Sequence, residues 1–223
     1  MQGASPPDCQ IKLGSSRVGI LGCGGIGNLI ASQLTTSGVG KLLLVDDDVI
    51  ELSNLTRQIM FTEADIGLKK CHVLSRELQR RNSSVTVNSI ELQIRQFSDL
   101  DILPDCDLWI LSADQPASLA SWFNRWSIKT HCPFLAVGYV EDIATIGPFV
   151  LPLRSSCLVT VHTLASSDGG FWWAKWAEMA WVRNSKVFLF RWRQVSRTVS
   201  RVSTKRLPLA LWVPKLSCFQ ITG

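Results

Sequence analysis

Short apolar runs alternate with helix-compatible stretches along the first 140 residues of the chain. Buried strands are predicted at 18–21, 41–45, 107–112 and 133–139, and apolar positions alternate with polar ones over 85–90. Apolar residues recur at helical spacing after residue 25 and over 69–81, and a further helix is predicted at 116–129. Strand, helix and strand form a right-handed parallel unit. The pattern predicts an α/β fold: a Rossmann-like, doubly wound, mainly parallel sheet with helices on both faces.

Four glycines occupy the junction between the first strand and the first helix. Gly22, Gly24, Gly25 and Gly27 follow the first apolar run directly. Glycine lets the backbone turn tightly and approach phosphate oxygens, and the free N–H groups at a helix start favour negative charge. Asp46 ends the second strand 19 residues after Gly27, near the separation of about 20 at which a carboxylate accepts ribose hydroxyls. These residues predict a nucleotide site, although such turns also occur for packing reasons.

More polar side chains follow the second strand than a nicotinamide cofactor needs. Arg57 offers a planar donor fork and Lys70 a compact charge, and the two could neutralise the β- and γ-phosphates of a triphosphate. A redox cofactor has no γ-phosphate, so this pair favours ATP over NAD or FAD. The alternative for Lys70 is a solvated helix lysine. The polar residues of this cluster are Asp46, Asp48, Glu51, Asn54, Arg57, Gln58 and Lys70.

Asp114 follows the strand predicted at 107–112. Ligands of doubly wound sheets gather at the carboxyl ends of the strands, so Asp114 belongs to the same site on topological grounds. An alternative and compatible role is the N-cap of the helix predicted at 116–129.

These motifs, taken together, resemble the adenylating domain of the ThiF/MoeB/HesA family, bacterial relatives of the ubiquitin-activating E1 enzymes. The resemblance covers about residues 15 to 157. Several motifs fall in order at compatible spacings. They are Gly22-x-Gly24-Gly25-x-Gly27, Asp46-x-Asp48-x-x-Glu51-x-Ser53-Asn54-Leu55-x-Arg57-Gln58 and Asp65-Ile66-Gly67-x-x-Lys70.

The resemblance implies ATP-dependent adenylation of a carboxylate, which gives an acyl adenylate and pyrophosphate. It implies that the four glycines shape the phosphate turn and that Asp46 holds the ribose. Arg57 and Lys70 would stabilise charge as pyrophosphate leaves, and Asp114 would hold Mg²⁺, with Asp48 in support. The residues that it assigns to the phosphates are Asn54, Arg57, Gln58 and Lys70.

The implied substrate is the C-terminus of a ubiquitin-like sulfur-carrier protein or of a peptide, and the family's members are commonly homodimers. Three alternatives stay open. The chain could be a non-catalytic remnant that binds only nucleotide, an oxidoreductase with NAD or FAD, or a relative that activates a carboxylate on a tRNA nucleoside. Arg57 and Lys70 have no evident task in an oxidoreductase.

Composition and cysteine usage indicate a cytoplasmic globular protein. Hydrophobic residues make up 46% of the 223 residues and charged residues 18%, and no apolar run approaches the roughly 18 residues of a membrane span. Residues 1–16 contain no secretory pattern, and seven scattered cysteines favour reduced thiols. Cys157 has no Cys-x-x-Cys partner, so no zinc site is expected. Cys132, beside His131, is a poor candidate for a nucleophile.

The last quarter of the chain differs from the rest. Residues 171–223 contain ten Lys or Arg and one acidic residue, a formal charge of +9, whereas residues 1–170 carry −4. Six of the nine tryptophans lie there, and the resemblance ends. A membrane- or nucleic-acid-binding segment, a helical extension and an out-of-frame C-terminus all fit, and the third is favoured. The predicted organisation is an N-terminal extension at 1–16, an adenylation domain at 17–160 and a C-terminal segment at 161–223.

Overall fold

The computed structural model of the chain describes residues 6–140, 143–152 and 188–191. Three short 3₁₀ helices lie in the connections at Leu52–Thr56, Glu63–Asp65 and Phe97–Ile102. The α-helices are α1 (Pro6–Ser15), α2 (Gly25–Thr36), α3 (Lys70–Arg81) and α4 (Leu119–Thr130). The strands are β1 (Arg17–Leu21), β2 (Lys41–Val45), β3 (Thr86–Ile90), β4 (Leu108–Leu111), β5 (Phe134–Val140), β6 (Ile143–Val150) and β7 (Phe188–Arg191).

The strands form one sheet in the order β3-β2-β1-β4-β5-β6-β7. The first five strands of the chain pair in parallel, and β6 and β7 continue the sheet in antiparallel pairing. The order reverses between β1 and β4, which is the switch point of a doubly wound sheet. The predicted fold class is therefore confirmed.

Alternate residues of the strands pack on opposite faces of the sheet. On β2, Leu42 and Leu44 face the cluster formed with α2 and α3, whereas Leu43 and Val45 face the cluster that contains α4. Both clusters are buried, which explains why the strand reads as a continuous apolar run. The second cluster is rich in aromatic side chains, with edge-on or tilted contacts among Trp109, Phe123, Trp126 and Phe134.

The predicted strands at 18–21, 41–45, 85–90, 107–112 and 133–139 and the helix at 69–81 match observed elements to within one or two residues at each end. The helix α4 begins later than predicted. The N–H of Leu119 donates to the carbonyl oxygen of Pro116 at 2.8 Å in a turn, and the first helical bond runs from Trp122 to Ser118. Ser118 is the N-cap, so the alternative role of Asp114 as the N-cap is wrong.

The two ends of the chain fall partly outside the described residues. A helix, α1, lies in the predicted N-terminal extension, for which the pattern predicted no element. The strand β7 lies in the segment 161–223 and pairs with β6. Cys157 lies outside the described residues, as do all six tryptophans after residue 170. Among the described helices, none has the length and apolar character of a membrane span.

Candidate nucleotide site

The carboxyl ends of the three central strands meet at one edge of the sheet. Leu21 pairs in register with Val45 on one side and with Leu111 on the other. Each of these residues is the last of its strand, so the chain segments that follow start side by side. The glycine turn, Asp46 and Asp114 therefore come together as the topology predicted.

The glycine turn connects β1 to α2 through backbone geometry that side chains would disturb. Gly22 has a φ of +99°, in the left-handed region that favours glycine. A Cβ on Gly27 would lie 1.9 Å from the carbonyl oxygen of Gly22. Gly24 is the N-cap of α2, and no side chain caps the helix. The first amides of α2 are therefore available to an anion, which the helix dipole also favours.

Asp46 joins the end of β2 to the glycine turn. Its Oδ2 accepts a hydrogen bond from the N–H of Cys23 at 2.5 Å, and its Oδ1 accepts one from the N–H of Asp48 at 2.8 Å. Burial raises the pKa of the carboxyl, against the lowering effect of these two bonds. Each carboxylate oxygen has a second lone pair, so Asp46 retains acceptor capacity for a hydroxyl pair such as that of a ribose.

Lys70 is a buried cation at the start of α3. Its side chain is 8% exposed, and its Nζ lies 2.8 Å from Oδ2 of Asp48, which is 65% exposed. The N–H of Lys70 also donates to the carbonyl oxygen of Asp48 at 3.0 Å. The alternative of a solvated helix lysine is therefore wrong, because the side chain is buried. A buried ammonium group needs a negative charge beside it, and the Asp48 carboxylate supplies that charge.

The segment 52–60 carries three polar side chains of the predicted site, and one of them, Arg57, lies against the glycine turn. Asn54 and Gln58 are buried, and Arg57 is exposed. Oδ1 of Asn54 accepts a hydrogen bond from the N–H of Glu51 at 3.2 Å, and its backbone carbonyl accepts the N–H groups of Arg57 and Gln58. The Cγ of Arg57 lies 3.3 Å from the position that a Cβ on Gly25 would occupy. Arg57 thus lies against the turn, and its exposed guanidinium makes one long hydrogen bond, from Nη1 to the carbonyl oxygen of Ser53 at 3.3 Å.

One long-range hydrogen bond holds this segment, and a second group of hydrogen bonds holds the chain that follows it. Oδ1 of Asn28, on α2, accepts a hydrogen bond from the N–H of Met60 at 3.2 Å. Farther along, Asp65 accepts hydrogen bonds from Thr62 and from Arg76 on α3. Although burial opposes it, these bonds lower the pKa of Asp65. No local sequence pattern marks Asn28, because its partner is 32 residues away.

The end of β4 is attached to the glycine turn by its backbone. The N–H groups of Ser112 and Ala113 both donate to the carbonyl oxygen of Leu21 at 2.9 Å. The Ser112 hydroxyl donates to the carbonyl oxygen of Gly22 at 2.7 Å. Asp114 follows, exposed, and no hydrogen bond or ion pair joins its carboxylate to another described residue. The structure thus brings Asp114 to the turn while leaving its carboxylate open.

Acidic oxygens suited to a divalent cation also gather on the β2 side. The carboxylate oxygens of Asp46, Asp47 and Asp48 lie within 4.8 Å of one another. Hard oxygen donors of this kind fit Mg²⁺, which keeps waters and phosphate oxygens in its remaining positions. Asp114 is not in this group, and Asp48 also pairs with Lys70.

Cys23 and Cys132 have the properties of structural thiols, and Cys132 precedes β5, away from the carboxyl ends of the strands. Burial raises the pKa of Cys23, in the turn, well above its ordinary value. Cys132 is buried, its Sγ donates to the carbonyl oxygen of Cys106 at 2.8 Å, and burial raises its pKa as well. A thiol that stays protonated is a weak nucleophile, in agreement with the low expectation for Cys132.

Comparison with known proteins extends these observations. The model of the ThiF family matches residues 2–168. The sulfur carrier protein ThiS adenylyltransferase of Escherichia coli is 32% identical over 153 residues, which are 67% of this chain and 59% of that protein. The adenylyltransferase and sulfurtransferase UBA4 of Debaryomyces hansenii is 35% identical over 109 residues, 49% of this chain and 24% of UBA4.

Solved structures of related proteins share this fold. The crystal structure of E. coli MccB with MccA-N7isoASN superposes with a TM-score of 0.69 and 45% identity, covering 70% of this chain and 46% of MccB. MccB has also been solved with ATP. The chain therefore spans between about a quarter and three fifths of the length of these relatives.

Proposed function

The chain belongs to the ThiF family, and from this premise we propose that it adenylates a carboxylate with ATP. The carboxylate oxygen attacks the α-phosphorus of ATP. A bond forms between these two atoms, the bond to the bridging oxygen breaks, and pyrophosphate leaves with its electron pair. The products are an acyl adenylate and pyrophosphate. The relatives named above as adenylyltransferases support this reaction class.

The observation that carries the proposal is the placement of two cations beside an uncapped helix start. Arg57 lies over Gly25, and Lys70 is buried beside Asp48 in the same strand-end cluster. Pyrophosphate gains negative charge as it leaves, and positioned cations in a water-poor site stabilise that charge. We assign this role to Arg57 and Lys70. A nicotinamide or flavin enzyme offers no comparable task for them, which argues against the oxidoreductase alternative.

The remaining side chains position the nucleotide in this proposal. The amides of the turn formed by Gly22, Gly24, Gly25 and Gly27 donate to phosphate oxygens. Asp46 accepts the ribose hydroxyls with its remaining lone pairs. The side-chain amides of Asn54 and Gln58 contact the phosphates in this proposal, as the resemblance implied. The protein supplies no nucleophile of its own, because positioning and charge stabilisation suffice for this step.

Mg²⁺ fits the acidic oxygens on both sides of the turn. We propose that Asp114 holds it, with Asp48 in support, because both carboxylates are exposed at the same sheet edge. When bound, the ion would neutralise phosphate charge and orient the triphosphate.

The substrate that we propose is the C-terminal carboxylate of a ubiquitin-like sulfur-carrier protein or of a peptide. The E. coli relative acts on the sulfur carrier ThiS by its name, and MccB has been solved with the peptide MccA. A homodimer is the assembly that we propose, as the family resemblance implied. Activation of a tRNA nucleoside is not favoured, because none of the relatives described above carries such a name.

The test is ATP/[³²P]pyrophosphate exchange with Mg²⁺ on the purified chain. A panel of carriers ending in Gly-Gly and short peptides with free C-termini supplies the carboxylate. We expect substrate-dependent exchange that falls about 100-fold or more in Arg57→Ala, as when a positioned donor to a transition state is removed. Arg80→Ala is the matched control, because Arg80 is an exposed arginine that pairs with Glu77 on α3. Absence of exchange together with absence of ATP binding by calorimetry would exclude the proposal.

A further inference from the structure

Asn28 is buried one turn into α2, and its side chain bonds a segment of the candidate site without contacting the nucleotide in the proposed mechanism. The residue has 0% exposure, and its N–H donates to the carbonyl oxygen of Gly24 at 2.8 Å. Its side-chain Oδ1 accepts the N–H of Met60 at 3.2 Å. Asn28 therefore joins the helix that starts at the glycine turn to the segment that carries Arg57 and Gln58.

The burial of this amide is not explained by packing. Nδ2 of Asn28 has no hydrogen-bond partner among the described residues. Burying an amide group with an unpaired donor lowers the free energy of unfolding. A leucine at this position would not carry that cost. What Asn28 provides and leucine cannot is the acceptor for Met60.

The position of Arg57 depends on the path of its backbone. The guanidinium makes one long hydrogen bond, from Nη1 to the carbonyl oxygen of Ser53 at 3.3 Å, and the side chain is exposed. Met60 lies only three residues after Arg57. A bond that fixes Met60 on α2 therefore also limits where Arg57 and Gln58 lie relative to the turn.

We propose that Asn28 is a positioning residue that acts through Arg57. Its carboxamide holds the backbone at Met60 so that the guanidinium stays over the phosphate-binding turn. We call the hydrogen bond from the Met60 N–H to Oδ1 of Asn28 the tether. The kinetic part of this inference rests on the proposed adenylation, whereas the tether does not. A displacement of about 1 Å in a catalytic group can cost about 100-fold in rate, so loss of a single bond at Met60 is sufficient for a large effect.

The tether is tested without any assumption about function. Asn28→Leu removes the acceptor and keeps the number and branching of the heavy atoms, and Asn28→Ala removes the whole carboxamide. Thr35→Val is the matched control, since Thr35 is equally buried on α2 and its hydroxyl donates within the helix to Ala31. Hydrogen exchange at the Met60 amide and tryptic cleavage after Arg57 are measured in each variant.

We expect the Met60 amide to exchange at least about 10-fold faster in Asn28→Leu and Asn28→Ala, because a free amide loses the protection of its hydrogen bond. Cleavage after Arg57 accelerates in the same two variants. Exchange stays near the native rate in Thr35→Val. Native protection of Met60 in both acceptor-less variants overturns the tether.

The kinetic part is tested by pyrophosphate exchange. We expect kcat to fall about 100-fold in Asn28→Leu while KM for ATP changes less than about threefold. In the Arg57→Ala background the same substitution has little further effect, because a residue that acts through Arg57 has nothing left to position. A full additive loss in the double variant overturns action through Arg57. Absence of pyrophosphate exchange in the wild-type chain overturns the proposed function and this kinetic role. Hydrogen exchange at the Met60 amide still tests whether the tether exists.

Discussion

Two stretches of chain flank the glycine turn, and they hold their charged groups differently. On the β2 side, residues 46–70, Asp46 bonds two backbone amides and Lys70 pairs with Asp48. On the β4 side, residues 112–115, the backbone bonds the turn as far as Ala113, and the Asp114 carboxylate beyond it is exposed. Asp46 and Lys70 on the β2 side thus belong to the hydrogen-bond and ion-pair network of the fold, whereas Asp114 on the β4 side is an exposed carboxylate outside that network.

This difference separates stability from chemistry. A change on the β2 side alters bonds that hold the turn as well as groups assigned to the nucleotide. A change at Asp114 alters an exposed side chain, and exposed substitutions rarely shift the free energy of unfolding by more than about 0.5 kcal/mol. Variants on the β2 side should therefore be able to change the free energy of unfolding in either direction, whereas a variant at Asp114 should leave it near the native value.

The largest effect is expected from Gly27→Ala, which breaks the turn shared by both sides. The new Cβ would lie 1.9 Å from the Gly22 carbonyl oxygen and 2.7 Å from Oγ of Ser112. Backbone atoms cannot move away cheaply, so we expect the free energy of unfolding to fall by about 3 kcal/mol, the upper range for overpacking. Urea denaturation measures this loss.

Gly24→Ala is the control for that prediction. A Cβ on Gly24 meets nothing within 4 Å, and the φ of this residue is −69°. We expect native stability, with weaker ATP binding by calorimetry because the methyl group projects into the open space beside the uncapped helix start. A native urea midpoint in Gly27→Ala would contradict the assigned geometry of the turn.

The local part of this site is predictable from the sequence, and the long-range part is not. The strand-to-helix context of the glycines follows from periodicity within a few residues, and Asp46 follows from its distance to Gly27. By contrast, the burial of Lys70, its pairing with Asp48 and the bond from Met60 to Asn28 depend on how α2, α3 and the segment between them pack. Asp114 as a helix cap was wrong because a turn at Pro116 delays the start of α4.

An intermediate effect is expected from Lys70→Met, which removes the charge on the β2 side and keeps the apolar stem. If adenylation is the function, exchange falls about 100-fold or more. The free energy of unfolding should stay the same or increase, because an apolar residue of similar volume avoids the desolvation of a buried ammonium group. Asp48 is largely exposed and stays hydrated without its partner. Pyrophosphate exchange and urea denaturation are measured on the same preparation.

Lys129→Met is the matched control for Lys70. Lys129 pairs with Asp101 at 2.9 Å, but both side chains are about half exposed and lie away from the glycine turn. We expect exchange to be unchanged in this variant. Native exchange in Lys70→Met, or an equal loss in Lys129→Met, would remove Lys70 from the phosphate site.

The smallest effect is expected from Asp114→Asn, which tests the β4 side alone. We expect the Mg²⁺ concentration for half-maximal exchange to rise about 10-fold, at the low end of the range for a weakened metal site, with no change in the urea midpoint. Asp105→Asn is the control, since Asp105 is exposed near the other end of β4. An unchanged Mg²⁺ requirement in Asp114→Asn, with a shifted one in Asp48→Asn, would instead place the ion on the carboxylate group of the β2 side. Metal binding would then compete directly with the ion pair between Lys70 and Asp48, and Asp114 would have no role in holding the ion.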